Sequence, residues 1–154
     1  MKRFNDCKQI GIPKKSEQGK TFIIKSGQDF ICEIVDVDNC LFKNEPFKKC
    51  DWLFLIAKNK HLNKDLKIEK SLAYYVELKG IALDDACEQL FNSIDKTKSE
   101  IPNFNIEARV ISTKGFQPEI INLSFYKKVK KMIRKDIMIC KVHKGNNYTH
   151  IETI

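Results

Sequence analysis

The segment Asp51-Trp52-Leu53-Phe54-Leu55-Ile56 constrains this chain more than any other. Side chains alternate between the two faces of a strand, so an unbroken apolar run leaves neither face for water. The run therefore predicts a central strand with a layer of structure on each side. A chain of 154 residues suffices for one such core without disulfide or metal support.

The flanking pattern fills in the rest of a single domain. Residues 1–20 are polar, carry Pro13 and Gly19, and read as a loose arm or a short helix. Phe22-Ile23-Ile24 and Phe30–Val35 are β-branched and aromatic runs with Gly27 between them, so both are expected as strands. Asp38-Asn39 signals a turn, with Cys40-Leu41-Phe42 continuing beyond it. Residues 58–71, rich in Lys and Asn, read as a solvated hairpin loop, and Ala73–Gly80 as the next strand. In residues 82–97, Leu83, Ala86, Cys87, Leu90, Phe91 and Ile94 form one apolar stripe at helical spacing. A strand over 104–113, a second amphipathic helix over 122–135 and terminal strands at 138–142 and 148–154 complete the order. The expected fold class is α/β, a mixed central sheet with flanking helices, spanning residues 1–154 as one domain.

Charge narrows the partner. Lys and Arg number 28 against 20 Asp and Glu, a formal net charge of +8. That excess favours a polyanion, nucleic acid first. No apolar run approaches the ~20 residues of a membrane span, and no apolar segment follows the basic N-terminus, so a cytoplasmic protein is expected. The six cysteines form no CxxC pair, and without a signal peptide they are expected as small buried residues rather than a disulfide framework. Cys40 and Cys50, flanking one turn, are the one pair that could approach a metal.

Two carboxylates and a lysine fall where strands should end. Asp51 opens the central strand, and Glu77-Leu78-Lys79 closes the next. Residues i and i+2 of a strand share a face, so Glu77 and Lys79 project together with Tyr75 behind them. If the two strands pair antiparallel, Asp51 neighbours both. Carboxylates that close repel each other, and a hard cation such as Mg²⁺ or Mn²⁺ relieves the repulsion. Such a cation polarises a phosphate and lowers the pKa of bound water. Lys79 would orient that water or stabilise charge developing on phosphate oxygen.

Asp51, Glu77-Leu78-Lys79 and the helix segment Asp85-Ala86-Cys87-Glu88-Gln89-Leu90 together resemble the PD-(D/E)xK nucleases, the restriction-endonuclease-like fold. The resemblance implies a β-β-β-α-β core, with a C-terminal helix and strands added. It implies Asp51 and Glu77 as metal ligands, Lys79 as the catalytic lysine, and Gln89 as a residue facing the active site. Many members carry a further upstream acid; Glu33 is the first candidate, with Asp36, Asp38 and Glu17 behind it. Small members often dimerise, so a homodimer is an expectation of the same kind. Cys50 stands where the family's usual Pro precedes the Asp, and Ser93 stands where some branches have Tyr.

The second helix adds a basic face. Tyr126–Lys135 holds six basic residues, and Val129, Met132 and Ile133 account for its buried stripe. Lys127, Lys128, Lys131, Arg134 and Lys135 are thus candidate phosphate contacts. The expected function is metal-dependent hydrolysis of phosphodiester bonds, with DNA as substrate. The alternative is a non-catalytic nucleic-acid-binding or protein-interaction module on the same fold.

Overall fold

The computed structural model describes residues 2–27, 29–58, 71–79 and 82–154. In chain order the strands are β1 (Lys8–Ile10), β2 (Lys14–Glu17), β3 (Lys20–Lys25), β4 (Phe30–Asp36), β5 (Trp52–Lys58), β6 (Ser71–Leu78), β7 (Phe104–Ser112), β8 (Met138–Lys141) and β9 (Thr149–Thr153). The helices are α1 (Leu83–Thr97) and α2 (Ser124–Ile133).

The fold is mixed α/β. Six strands form one sheet in the order β1-β4-β5-β6-β7-β8, and β2, β3 and β9 form a second, smaller one. β4, β5 and β6 are an antiparallel meander; β7 pairs parallel to β6, and β8 parallel to β7. α1 and α2 occupy the two parallel crossovers, as such connections require.

The apolar run in β5 is buried on both sides. Leu53 and Leu55 face α1 and α2, joining Tyr75, Ala86, Leu90, Ile94 and Val129. Phe54 and Ile56 face the small sheet, joining Phe22, Ile24, Tyr74 and Val76. Burial of Leu- or Phe-sized side chains contributes about 1.5–3 kcal/mol each, so this strand anchors both layers. It also fixes register: a one-residue slip would exchange the two apolar sets and push Asp51 to the wrong face.

Four expectations are corrected. Residues 1–20 are more than an arm: after a 3₁₀ turn at Phe4–Cys7 they supply β1 on the edge of the large sheet and β2 on the small one. Their side chains are mostly exposed, so no alternation marks them in the sequence. Cys40–Phe42 is not a strand; Val37–Leu41 winds into a π-helical turn, with the Phe42 N–H donating to the Val37 carbonyl. Cys7 and Cys40 are joined by a disulfide, while Cys32, Cys50, Cys87 and Cys140 are free and buried. The second helix is shorter than 122–135, because a separate 3₁₀ turn at Pro118–Asn122 precedes it and Arg134 ends it in a left-handed conformation. The loop expected at 58–71 falls on 59–70, outside the described residues, as does Gly80. No helix among the described residues is long and apolar enough to cross a membrane.

Candidate functional site

The β5–β6 register sets the geometry. Trp52 pairs with Val76 and Leu53 with Tyr75, so one step further Asp51 stands opposite Glu77. Both lie on the face that carries Leu53 and Tyr75, the face covered by α1. Asp51 Oδ2 accepts a 2.7 Å hydrogen bond from the Leu78 N–H, locking its carboxylate across the strand pair. Glu77 is 2% exposed, and its Oε2 has no hydrogen-bond partner among the described residues. A buried unpaired carboxylate oxygen is costly, and native structures seldom hold one without a reason.

Lys79 completes the group. Its Nζ lies 3.7 Å from Glu77 Oε1 and donates to Gln89 Oε1 at 3.1 Å. Gln89, on the second turn of α1, donates from Nε2 to the Lys49 carbonyl at 3.0 Å. The glutamine therefore ties the lysine to the segment leading into Asp51. Lys79 is itself pinned by its backbone, whose N–H donates to the Ile111 carbonyl of β7.

The electrostatics follow from burial. Asp51 and Glu77 are both pushed well above the usual carboxylate range, chiefly by burial; for Glu77 the Asp51 charge adds to it. Lys79 pulls both the other way without cancelling the effect. Glu17, at the end of β2, is also raised by burial and by Asp38 and Asp36, and its own charge raises Asp51 and Glu77. These acids thus sense one another around a single sheet end. Asp51 and Glu77 are the oxygen donors that could hold a hard cation there. Among the described residues, no three acidic, imidazole or thiol side chains are drawn together into a closed metal cage.

Glu33 is not brought to this group. It pairs in register with Leu55, four positions from the level of Asp51, or about 13 Å along the strand. Its carboxylate meets Lys8 Nζ at 3.2 Å. Asp38 is closer to the site but faces Lys49 Nζ at 3.4 Å, and Asp36 is spent capping the Asn39 N–H at 2.7 Å. Of the upstream acids, Glu17 is the one that both Asp51 and Glu77 sense and that has no cation bound to it among the described residues.

The basic helix is only partly available. Lys127, Lys131 and Arg134 are exposed and have no acidic partner among the described residues. Lys128 is exposed, with its Nζ over the Phe125 and Phe91 rings, 4.6 and 5.4 Å from their centroids. Lys135 is committed to Glu107 of β7, and Lys130 to Asp136 at 2.8 Å. Among the described residues, Lys135, of the five candidate phosphate contacts, is thus the one that already holds an acidic partner.

The sequence reading did not name Asn92, and it named Ser93 only as a departure from the family pattern, yet both support the site. Asn92 Nδ2 donates to the Lys48 carbonyl at 2.9 Å, and Ser93 Oγ accepts from the Cys50 N–H at 2.8 Å. With Gln89 they occupy i, i+3 and i+4 on α1, a polar stripe beside the apolar one. That stripe was the available signal. No family model, curated protein or solved structure matches this chain.

Proposed function

We propose that this chain is a metal-dependent nuclease that hydrolyses phosphodiester bonds in DNA. The observation that carries the reading is the pair Asp51 and Glu77, opposed on one sheet face, with a buried Glu77 oxygen that has no hydrogen-bond partner among the described residues and Lys79 beside it. A polar group left so in a core is destabilising unless a ligand completes it. Two adjacent carboxylates offer hard oxygen donors of the kind Mg²⁺ or Mn²⁺ takes. The meander followed by α1 and a parallel β7 also agrees with the β-β-β-α-β core of the PD-(D/E)xK resemblance.

In this reading Asp51 and Glu77 hold the cation, and Glu17 adds negative charge at the rim. A divalent cation bound there supplies Lewis-acid polarisation of a phosphate oxygen and an acidified water. Lys79, held by Gln89 and adjacent to Glu77, donates to the oxygen on which charge develops. Its tether matters because an ammonium on a four-carbon stem is otherwise mobile, and a fixed donor needs no reorganisation at the transition state. Lys127, Lys128, Lys131 and Arg134 supply sequence-independent attraction for the phosphate backbone.

The test is cleavage of supercoiled, branched and single-stranded DNA across Mg²⁺ and Mn²⁺ series. Lys79→Ala is expected to lower the rate by about 10²–10³ with little change in DNA affinity, because its interaction belongs to the transition state. Asp51→Asn, which removes a metal-ligand charge, is expected to abolish metal-dependent cleavage. DNA bound by the wild type without cleavage of any substrate would replace this reading with the non-catalytic module.

A further inference from the structure

The segment entering β5 belongs to no regular element, yet three consecutive backbone groups in it are held by one face of α1. Asn92 Nδ2 reaches the Lys48 carbonyl at 2.9 Å, Gln89 Nε2 the Lys49 carbonyl at 3.0 Å, and the Cys50 N–H reaches Ser93 Oγ at 2.8 Å. Ser93 is fully buried, as is Cys50. Ladder bonds fix the chain only from Trp52 onward, so this side-chain clamp is what delivers Asp51 to its place opposite Glu77. A second backbone bond acts on the same point from the other side: the Val37 N–H donates to the Asp51 carbonyl at 3.1 Å.

We infer that Asn92 and Ser93 are positioning residues for the metal-binding pair, setting the Asp51 carboxylate against Glu77 through the backbone of residues 48–50. The inference rests on the metal-dependent reading above. Each hydrogen-bonds backbone rather than a carboxylate: Ser93 holds the Lys49–Cys50 peptide and Asn92 the Lys48–Lys49 peptide, both just ahead of Asp51. Gln89 shares the clamp but also holds Lys79, so its loss mixes two effects. Asn92 and Ser93 separate them. A cation that needs two carboxylates at one point tolerates little displacement of either, and outer partners of metal ligands commonly change affinity by about 10–100-fold.

The experiment is calorimetric titration of Mn²⁺ into the metal-free full-length protein, for wild type, Asn92→Leu and Ser93→Ala. It is paired with cleavage kinetics in which Mg²⁺ and DNA are varied separately. Asn92 is half-buried at the surface, so Asn92→Leu removes the donor at similar size without opening the core. Both variants are expected to lose Mn²⁺ affinity by about 10–100-fold. The half-activating Mg²⁺ concentration should rise in step, KM for DNA should stay unchanged, and saturating metal should restore kcat. Thermal melts of the metal-free variants exclude a merely destabilised fold, which metal would also rescue: both variants should be fully folded at the titration temperature. Should Ser93→Ala fail to fold, Asn92→Leu alone decides the matter. Wild-type Mn²⁺ affinity in Asn92→Leu overturns the clamp and leaves the nuclease reading intact. Failure of the wild type to bind Mn²⁺ overturns both.

Discussion

Asp51 and Glu77 stand opposite each other across β5 and β6, with unequal partners: Asp51 Oδ2 takes the Leu78 N–H, while Glu77 Oε2 is buried with no hydrogen-bond partner among the described residues. The asymmetry stores proton affinity in Glu77. Burial, then the Asp51 charge, raises it from its ordinary 4.5, and burial raises Asp51 from 3.8.

Stability should therefore fall as pH rises. A carboxyl whose folded pKa exceeds its unfolded one binds more protons when folded, so its contribution is full below the unfolded value. It is lost as pH climbs through the raised folded value. Urea melts of metal-free protein should show this decline starting above pH 4.5 and continuing through neutral. Glu77→Gln should flatten it and be more stable than wild type at pH 8, by about 1–3 kcal/mol, the scale of a buried unsatisfied group. Mg²⁺ should raise Tm more at pH 8 than at pH 6, because the ligands must be deprotonated. A pH-independent wild type would show that the pair carries no such strain.

The opposite sign is expected at the junction between the sheets. Arg109 of β7 is 4% exposed and binds Glu152 of β9 through Nε at 3.0 Å and Nη2 at 2.7 Å. Burial would raise Glu152, but hydrogen bonds from His150 and Arg109 bring it down to about 2. Its contribution is present above 4.5 and lost as pH falls toward 2. Arg109 keeps Glu107 at 3.2 Å when Glu152 is removed, so Glu152→Ala should cost about 1.5–3 kcal/mol at pH 7, the scale of lost hydrogen bonds to a charged group, rather than the cost of a fully stranded ion. Arg109→Met with Glu152→Leu should recover much of that. Chemical denaturation of the two variants measures the difference.

How much of this was legible in the chain depends on the range of the contacts. The β5 run and the α1 stripe are local patterns, and the observed α1, Leu83–Thr97, differs from the expected 82–97 by one residue. The opposition of Asp51 and Glu77 was also readable, since an antiparallel hairpin and a period of 2 determine which residues meet. β1 and β2 were not readable, because short exposed strands exist only through pairing with β4 and β3. Glu33 was misplaced for a related reason. Its face is right, but register along β4, which a sequence does not display, puts it opposite Leu55. Glu17 comes near the pair through the β2–β3 hairpin, a long-range arrangement with no local mark. The Cys7–Cys40 disulfide joins two irregular turns 33 residues apart, a spacing that belongs to no motif.

That disulfide gives a stability test. It ties the Phe4–Cys7 turn to the π-helical turn whose Val37 N–H holds the Asp51 carbonyl. Closing a loop of this length contributes about 3–4 kcal/mol in the chain-entropy account. For a domain of this size, Cys7→Ser should then lower Tm by about 10 °C. Thermal melts with and without dithiothreitol check it: reductant should shift the wild type and leave Cys7→Ser unmoved. An equal response in both would mean that the bond is absent in solution.

The last expectation concerns which lysines of α2 meet DNA. Each phosphate neutralised by a lysine contributes about 0.9 to the slope of log affinity against log salt. Lys127 and Lys131 have no acidic partner among the described residues, whereas Lys135 already serves Glu107. A cation engaged with its own carboxylate releases fewer counterions, since binding DNA must first break that pair. Lys127→Gln with Lys131→Gln should therefore flatten the slope by nearly 2 and weaken binding across sequences alike. Lys135→Gln should leave the slope unchanged and instead destabilise the fold slightly, by up to about 1 kcal/mol, as for other partly exposed ion pairs. Fluorescence anisotropy of a labelled duplex over a KCl series separates the cases. Equal slopes for wild type and the double variant would reduce α2 to a solvated face, and a lowered slope for Lys135→Gln would show that Glu107 releases its lysine to the phosphate.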